Sequence, residues 1–533
     1  MGEVMEVKSC STSSNYTTAT ATPADEEEAP TTPLQVQYSS SSSVKTPKSP
    51  FGSRFMSTPS AIAIASASPS PSPSPMKKAI GSMQGYLEEV GRFTKLDPQD
   101  AWLPITESRK GNTYYAAFHT LSSGIGIQAL ILPLAFTNLG WIWGIACLCV
   151  AFIWQLYTLW LLIQLHESES GVRHSRYLKL AMAVFGEKMG KLLALLPIMY
   201  LSGGTCVTLI MIGADTMKIF FQIVCGETCT LNPLTSVEWY LVFTVVALLL
   251  AQLPNLNSIA GVSLIGAITA VGYCTIIWVV SIVEGRLAHV PYEHEPPPAV
   301  TRIFTVWNAL GIIAFAFRGH NLVLEIQGTM PSDAKQPSRL PMWRGVKFAY
   351  LVIALCLFPL AIGGYWAYGN TIPPSGGMLI ALHKYHGHDT SKFMLALTSL
   401  LVVINSLSSF QIYAMPVFDN LESRYTSKKN RPCPRWLRIG FRGFFGCLAF
   451  FIAVALPFLP SLAGLIGGIA LPITLAYPCF MWLIIKKPKK YSVEWCLNGM
   501  LGAIGMILSL LVVTGAIWSI VAQGIKINFF NPQ

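Results

Sequence analysis

The sequence contains the run Phe315-Ala316-Phe317-Arg318-Gly319-His320-Asn321, and the architecture of the 533-residue chain can be worked out from it. The run interrupts a long apolar stretch near 304–327 with a cation, a glycine and two further polar side chains. Glycine permits backbone conformations that a regular helix does not use, and ionisable groups inside a membrane are costly and usually functional. The run therefore predicts a membrane helix that is interrupted partway along its length.

A second interruption lies in the first apolar stretch, near 114–136. It reads Ser122-Ser123-Gly124-Ile125-Gly126, and Pro133 follows further along the same stretch. Either glycine run alone could simply allow close packing of neighbouring helices. Interrupted helices at equivalent positions of two repeats are the best sequence indication of a transporter binding site. The presence of two such interruptions therefore favours a binding site between these two apolar stretches.

Apolar stretches dominate the chain. Of its residues 52% are hydrophobic and 12% are charged, whereas a soluble domain has about 25% charged residues. A helix needs about 20 apolar residues to cross a bilayer, and eleven stretches meet this requirement. Since the first and sixth begin successive blocks of five, the sequence predicts an all-α polytopic membrane protein with a five-plus-five inverted repeat and one extra helix. The stretches lie near 114–136, 141–165, 193–220, 237–254, 258–283, 304–327, 347–368, 393–417, 440–458, 462–485 and 497–522.

The net charge of +11 is distributed unevenly along these stretches. With the N-terminus in the cytosol, thirty of the 37 Lys and Arg residues fall in the N-terminal tail and the cytosolic loops. Such a bias is the positive-inside rule of membrane proteins, so the basic character indicates topology and not nucleic-acid binding. We expect a cytosolic N-terminus, an extracellular C-terminus and a location in the plasma membrane.

The chain divides into three parts by composition. Residues 1–75 are rich in Ser, Thr, Pro and Ala, which cannot bury enough apolar surface to fold, so we expect a disordered cytosolic tail. Residues 76–112 are expected to form an amphipathic lead-in, and residues 113–533 the transporter domain. Cys225 and Cys229 share one short loop and could form a disulfide if that loop is not cytosolic.

A zwitterionic amino acid fits the chemistry of two neighbouring helix breaks. Backbone N–H groups at the start of the second half of helix one would bind its carboxylate, and carbonyls freed in helix six would accept hydrogen bonds from its ammonium group. Asn405 in the eighth stretch is a further polar candidate, although a helix-packing hydrogen bond explains it equally well. The candidate substrate-binding residues are Ser122, Ser123, Gly124, Gly126, Phe317, Arg318, Gly319 and Asn405.

Two residues of the sixth stretch are candidates for proton coupling. His320 is of the type that titrates near neutrality, and a buried carboxyl such as that of Glu325 can take up a proton. Arg318 is a fixed cation beside the expected site, so it needs a counter-ion. Glu325, Asp215 in the third stretch and the substrate itself are the candidates for that counter-ion.

Signatures of enzymes and metal sites are not found in the sequence. It contains no Walker-type phosphate loop, no His-Glu-x-x-His motif and no Gly-x-Ser-x-Gly elbow. We therefore expect no enzymatic activity, no cofactor and no bound metal. Without a nucleotide site, uphill transport must draw on an ion gradient.

The same residues resemble those of a known family. The matching stretches are Tyr115-Ala116-Ala117-Phe118-His119, Leu132-Pro133, Leu139-Gly140-Trp141, Asn308-Ala309-Leu310-Gly311, Gly319-His320-Asn321, Leu324-Glu325-Ile326-Gln327 and Pro341-Met342-Trp343-Arg344-Gly345. Over about 110–525 the chain resembles the amino acid/auxin permease family, and within it the plant lysine/histidine transporter-like branch. The resemblance implies an eleven-helix fold of the amino acid-polyamine-organocation type. It also implies symport of amino acids with protons into the cytosol, with the substrate held between helices one and six.

Two positions depart from the family pattern. Gln128 stands where the glycine motif of helix one usually continues, and Arg318 stands where a small residue usually precedes the Gly-His pair. A cation there could narrow substrate choice, favour acidic substrates or mimic a bound proton or sodium ion. The departures keep two alternatives open. One is an amino acid sensor that signals through its N-terminal tail without transport, and the other is a carrier of another small carboxylate such as auxin.

Overall fold

The computed structural model of the protein describes residues between Pro98 and Gln523, with short gaps. The predicted tail 1–75 and most of the predicted lead-in 76–112 lie outside these residues, so the domain boundaries stay predictions. The described ranges are 98–168, 171–226, 234–253, 255–256, 258–292, 298–333, 335–374, 376–455 and 459–523.

Helices form the regular structure throughout these ranges, where the β-type pairing is an isolated bridge between Glu167 and Arg173. The prediction of an all-α protein is therefore confirmed. Chain order gives the helices as α1 (Thr113–Gly124), α2 (Ile127–Ile131), α3 (Pro133–Leu165), α4 (Tyr177–Phe185), α5 (Glu187–Cys225), α6 (Ser236–Leu250), α7 (Ala260–Val283), α8 (Ala299–Ala316), α9 (His320–Gly328), α10 (Arg339–Tyr368), α11 (Gly377–His386), α12 (Lys392–Lys429), α13 (Arg435–Ala455), α14 (Leu459–Leu471), α15 (Tyr477–Lys486) and α16 (Val493–Gln523).

Nine helical segments in the described part of the chain are long and apolar enough to cross a bilayer. The first predicted stretch is broken into short helices, and the fourth forms α6, which has 15 residues. The count of eleven spanning helices therefore stays a prediction. Large apolar side chains such as Ile142 (81% exposed) and Val283 (76% exposed) lie on the outside of the bundle, a surface that suits lipid better than water.

The element order of the first half recurs in the second half. Each half opens with an interrupted helix (α1–α2 and α8–α9) and continues with a long helix (α3 and α10). A short connecting helix then precedes the longest helix of the half: α4 precedes α5 with 39 residues, and α11 precedes α12 with 38 residues. The pairs α6–α7 and α13 with α14–α15 complete the two halves, and α16 is the additional helix. This order agrees with the predicted five-plus-five repeat.

A sharp bend at Gly140 separates the first spanning segment from the second. Gly140 lies inside α3 with φ +69° and ψ −176°, a conformation that glycine adopts without the penalty of a Cβ. The first residues of α3 therefore complete the first segment, and residues 141–165 form the second. The predicted boundary between residues 136 and 141 falls on this bend.

The two interrupted helices lie inside the bundle. The long helix α12 packs along α5 and α7, α1 packs against α7 and α10, and α8 packs against α3, α14 and α16. Every residue of α1 from His119 to Gly124 is buried, as is every residue of α9. Non-helical backbone is tolerated at membrane depth only where protein or a water-filled cavity surrounds it, and this packing supplies that environment.

Ion pairs anchor the segment that precedes α1. Arg176, the residue before α4, forms a bidentate salt bridge with Asp419 of α12. The Nε–Oδ2 distance is 2.5 Å and the Nη2–Oδ1 distance is 3.0 Å. Its Nη1 also lies 2.7 Å from Oδ1 of Asp100, to which Lys179 Nζ approaches within 2.9 Å. Asp100, Arg176 and Asp419 are all buried. The network ties the chain before α1 to α4 and α12.

The members of this network keep one another ionised. Burial opposes ionisation of the Asp100 carboxyl, but the charges of Arg176 and Lys179 hold its pKa below the ordinary value. Burial likewise opposes the charge on Arg176, and the carboxylates of Asp419 and Asp100 outweigh it, so the pKa of the guanidinium is raised. A carboxyl with a lowered folded pKa stabilises the fold above its unfolded-chain pKa of ~3.9. That stabilisation is lost as the pH falls through the lower folded value.

Replacing Arg176 with Gln leaves Asp419 buried without its cation. Breaking a buried pair in this way costs about 3–5 kcal/mol, so we expect a clearly lower midpoint temperature of unfolding for the purified protein in detergent. The difference from wild type should shrink as the pH falls below the unfolded-chain value of ~3.9 and through the lowered pKa of Asp100. The matched control is Asp389→Asn, which removes an exposed carboxylate after α11. An Arg176→Gln protein as stable as this control would contradict the role assigned to the network.

Candidate functional site

The first break separates α1 from α2. The helix α1 ends at Gly124, Ile125 is extended (φ −116°, ψ 116°), and α2 begins after Gly126 (φ −162°, ψ −147°). Two non-helical residues in a row release carbonyl groups of the last turn of α1 from intrahelical hydrogen bonds. A carbonyl that already has a hydrogen-bond donor from the protein is not available to a ligand, so the donors to these carbonyls must be identified.

The second break separates α8 from α9. Phe317 leaves the helical region with φ −108° and ψ 35°, and Gly319 has φ +133°. A φ of this value is strained for any residue with a Cβ, so Gly319 is the residue that permits the break. Both predicted interruptions are therefore present in the structure.

A polar stripe on α12 supplies donors to the first break. Asn405, Ser409 and Tyr413 are four residues apart and therefore share one face of the helix. Ser409 Oγ donates to the carbonyl of Ser122 at 2.8 Å, and the Tyr413 hydroxyl donates to the carbonyl of Ser123 at 2.8 Å. Asn405 Nδ2 lies 3.4 Å from the carbonyl of the extended residue that follows α1. The stripe therefore replaces hydrogen bonds that the break removes from α1.

Gln128 and Tyr273 complete the set of donors. Gln128 Nε2 donates to the carbonyl of Gly124 at 2.7 Å, and the Tyr273 hydroxyl of α7 donates to the carbonyl of Gly126 at 2.8 Å. With the α12 stripe, these contacts give each carbonyl from residue 122 to residue 126 a protein donor. Gln128 Oε1 is buried and has no hydrogen-bond partner among the described residues. The side chain that departs from the family pattern is thus part of the first break.

Arg318 places a buried cation between the two breaks. Arg318 is 3% exposed, and its Nε donates a hydrogen bond to the Tyr413 hydroxyl at 2.8 Å. The guanidinium carbon lies 4.3 Å from the ring centre of Phe315 and 4.7 Å from that of Tyr413, distances typical of cation–π contacts. Nη1 and Nη2 have no hydrogen-bond partner within the described part of the chain. Two nitrogens of a permanently charged group are therefore open to a ligand.

A small cavity lies between the breaks, with walls from α1, α3, α9 and α10. The centre of a water molecule can occupy a volume of about 10 Å³ in this cavity. A cavity needs about 10–15 Å³ of such volume to hold one water molecule. An amino acid does not fit into such a space. Binding of a substrate between the breaks therefore requires a flanking helix to move.

The structure places the predicted substrate-binding residues in two groups. Ser123, Gly124, Phe317, Arg318 and Gly319 line the central cavity. Ser122, Gly126 and Asn405 lie around the first break without lining the cavity; Ser122 Oγ lies 3.3 Å from Ser408 Oγ of α12. A contact between any of these residues and a substrate stays a prediction.

The two predicted proton-coupling residues lie on different sides of α9. His320 is completely buried, and its Nε2 lies 3.0 Å from both the Gln155 carbonyl and Thr158 Oγ1 of α3. Glu325 lines a second cavity with Asp419. Neither lines the central cavity, and their part in proton coupling stays a prediction.

The second cavity is larger and opens to the surface. Its volume is about 560 Å³ on the same measure, and its rim exposes Lys191, Arg424 and Lys428. The helix α9 separates the two cavities, because Val323 faces the central one and Glu325 faces the larger one. This one short helix therefore contributes to the walls of both cavities.

Several residues of the site lie outside the predicted set. Ser409 and Tyr413 could have been found from their four-residue spacing after Asn405 in an otherwise apolar stretch. Tyr350 and Ile353 of α10 line the central cavity, but aromatic and apolar side chains occur throughout the spanning segments and carry no signal there. Within the described ranges, no group of three or more His, Cys, Asp or Glu side chains is arranged to hold a metal ion.

Comparison with known proteins gives matches over most of the chain. Residues 109–522 match the family described as transmembrane amino acid transporter protein. The chain is 61% identical to lysine histidine transporter-like 8 of Arabidopsis thaliana over 86% of its own length and 88% of that protein. It is 46% identical to lysine histidine transporter-like 7 of the same plant over 82% and 90% of the two chains.

A solved structure shares the fold at low sequence identity. It is a nucleobase-cation-symport-1 family transporter in a closed conformation with bromovinylhydantoin bound, and the TM-score is 0.51 at 13% identity. The match covers 82% of this chain and 97% of the other. With the repeated element order, the likeness confirms the predicted transporter fold.

Replacing Gly319 with Ala tests the second break through backbone strain alone. A Cβ there would find ordinary space, with Ser123 Oγ nearest at 3.7 Å, so the cost of about 1–3 kcal/mol comes from φ. We expect a lower midpoint temperature of unfolding in detergent. The control is Gly261→Ala in α7, where an added Cβ meets no atom within 4 Å. Equal unfolding temperatures for both variants would show that the break does not depend on Gly319.

Proposed function

This chain belongs to the transmembrane amino acid transporter family, and on that premise we propose that it carries small amino acids across a membrane between its two interrupted helices. Membership of this family confirms the predicted class, a multi-pass membrane transporter and not an enzyme. The proposed route is supported by one observation above all. Residues of both breaks line the same cavity, and one of them is Arg318, whose Nη1 and Nη2 have no hydrogen-bond partner among the described residues.

The proposed transport step is a movement of α9 relative to the fixed first break. Chain breaks at the centre of a repeat-built transporter let one part rock against the other. The helix α9 has nine residues and follows the break at Gly319. Displacing it would widen the central cavity and connect it to the larger one, which opens to the surface. We assign the larger cavity to the release path.

The proposed orientation places the larger cavity on the cytosolic side. Its basic rim belongs to the loops and helix ends that carry most of the Lys and Arg residues, as expected for cytosolic segments. Cys225 at the end of α5 is disulfide-bonded, which favours an oxidising, non-cytosolic compartment for that end; its candidate partner Cys229 lies outside the described residues. We propose the plasma membrane, with a cytosolic N-terminus and an extracellular C-terminus.

The proposed coupling ion is the proton, with Glu325 as the group that binds it. Glu325 lies at the wall of the cavity that reaches the surface, where protons have access, and it shares that wall with the carboxylate of Asp419. His320 is enclosed and already hydrogen-bonded to α3. The geometry therefore favours Glu325 over His320 as the proton acceptor.

A sensor without net transport is the second candidate, and Gln128 is the observation that favours it. Its side chain occupies a carbonyl of the first break that a substrate would otherwise use. A sensor would bind amino acids with no flux, and its signal would be lost on deletion of residues 1–75. A transporter would keep its flux without the tail.

Expression in a host that lacks its own amino acid uptake tests the proposed function. We expect uptake of radiolabelled amino acids that is faster at acidic than at neutral external pH and that a protonophore abolishes. The proposal requires an inward proton gradient, so the protonophore separates coupled uptake from leak. A correctly targeted protein that takes up no amino acid from a full panel would refute transport.

Replacing Glu325 with Gln tests the proton acceptor. The amide cannot gain a charge, so we expect uptake to lose most of its dependence on external pH. The control is Glu284→Gln, which changes an exposed carboxylate at the end of α7 and should keep the wild-type dependence. If Glu325→Gln keeps the dependence and His320→Gln abolishes it, the acceptor is His320 and our assignment is wrong.

A further inference from the structure

We infer that the preferred substrate is an amino acid with a net negative charge, that its second, side-chain carboxylate binds the Arg318 guanidinium, and that cationic amino acids are rejected. The inference rests on the proposed function and names the substrate class for the same site. It starts from the one permanently charged group that borders the central cavity.

The side chain of Arg318 is only partly used by its neighbours. Nε donates to the Tyr413 hydroxyl, and the rings of Phe315 and Tyr413 pack against the guanidinium. These contacts fix its position but do not neutralise its charge. Nη1 and Nη2 are buried without a hydrogen-bond partner in the described part of the chain. Arg is always protonated, and a buried charge without a partner is strongly destabilising.

Neither protein carboxylate proposed as its counter-ion is in place. Glu325 lies on the opposite face of α9, at the cavity wall that it shares with Asp419 and Arg176. Asp215 interacts with Lys218 and with the Tyr240 hydroxyl. Among the described residues, no ion pair includes Arg318. Of the three candidates considered from the sequence, the substrate is the one left.

One of the two nitrogens without a partner, Nη2, lies close to the first break. A Cβ placed on Gly126 would lie 3.6 Å from Arg318 Nη2, 3.6 Å from Asn405 Oδ1 and 3.0 Å from Gln128 Oε1. The Nη2 end of the guanidinium therefore lies beside the break, where a substrate between the two helices would sit. A guanidinium edge with two N–H donors matches a carboxylate, which it binds with two parallel hydrogen bonds.

The charge balance then discriminates among amino acids. A cationic amino acid would bring a second positive charge into a site whose described residues hold one cation and no anion, and like charges at close range are mutually destabilising. A neutral zwitterion brings one carboxylate and one ammonium group, so the site keeps the net charge of +1 that Arg318 gives it. An amino acid with a second carboxylate neutralises it. The carbonyls of the first break, which would attract an ammonium group, already have donors from Gln128 and the α12 stripe.

The test measures how well unlabelled glutamate, alanine and lysine compete with the uptake of a radiolabelled amino acid. It compares the wild-type protein with the variants Arg318→Gln, Arg318→Lys and Lys218→Gln. In wild type we expect glutamate to compete best and lysine least. Removing one partner of a buried, hydrogen-bonded charge pair should weaken competition by glutamate at least ~30-fold in Arg318→Gln, while alanine is affected far less. Arg318→Lys keeps the positive charge, so glutamate should still compete best and lysine least, although glutamate should bind more weakly than in wild type. Lys218→Gln removes a cation of α5 outside the cavity and should behave like wild type.

The outcomes separate this inference from the proposed function. Wild-type uptake that lysine or alanine inhibits as well as glutamate would overturn the anionic preference and leave amino acid transport intact. An unchanged order in a folded Arg318→Gln protein would overturn the role of Arg318. Should Arg318→Gln fail to fold, the wild-type order and Arg318→Lys still decide. No uptake of any amino acid would refute the proposed function itself.

Discussion

Backbone carbonyls freed inside a membrane must each find a donor, and this requirement organises the centre of the protein. In the first break the donors are Ser409 and Tyr413 of α12, Asn405 of the same helix, Tyr273 of α7 and Gln128 of the broken segment itself. They approach from different directions. The end of α1 therefore cannot shift without exchanging several hydrogen bonds, so α1, α7 and α12 act as one rigid unit around the break.

The second break is held by side-chain contacts with several other helices. Phe317 and Gly319 depart from helical geometry beside a cation that is stacked between two rings. The Nε of this cation also donates to the Tyr413 hydroxyl. The short helix α9, which forms a wall of both cavities, is hydrogen-bonded to α3 through its first residue, His320. Any movement of α9 must therefore exchange these hydrogen bonds.

Much of this arrangement could be predicted from the sequence, because it depends on local rules. Glycine-containing polar runs in apolar stretches predicted both breaks, and their positions in the two halves predicted the repeat. The partners of Arg318 could not be predicted, since contacts across more than ninety residues of chain with Tyr413 depend on tertiary packing. His320 and Glu325 are five residues apart on one helix and point in different directions, and the binding of a proton by either one stays a prediction. The short α6 shows why a count of spans from hydropathy alone is uncertain at its margins.

Gln128 has a consequence for the step of the transport cycle in which the carrier returns without substrate. Its amide group already donates to the Gly124 carbonyl, so this carbonyl has a donor when no substrate is bound. A carrier that relied on its cargo to fill that position would be trapped until a new molecule bound, and would swap one solute for another. A built-in glutamine removes this trap, which suits accumulation in one direction over one-for-one exchange.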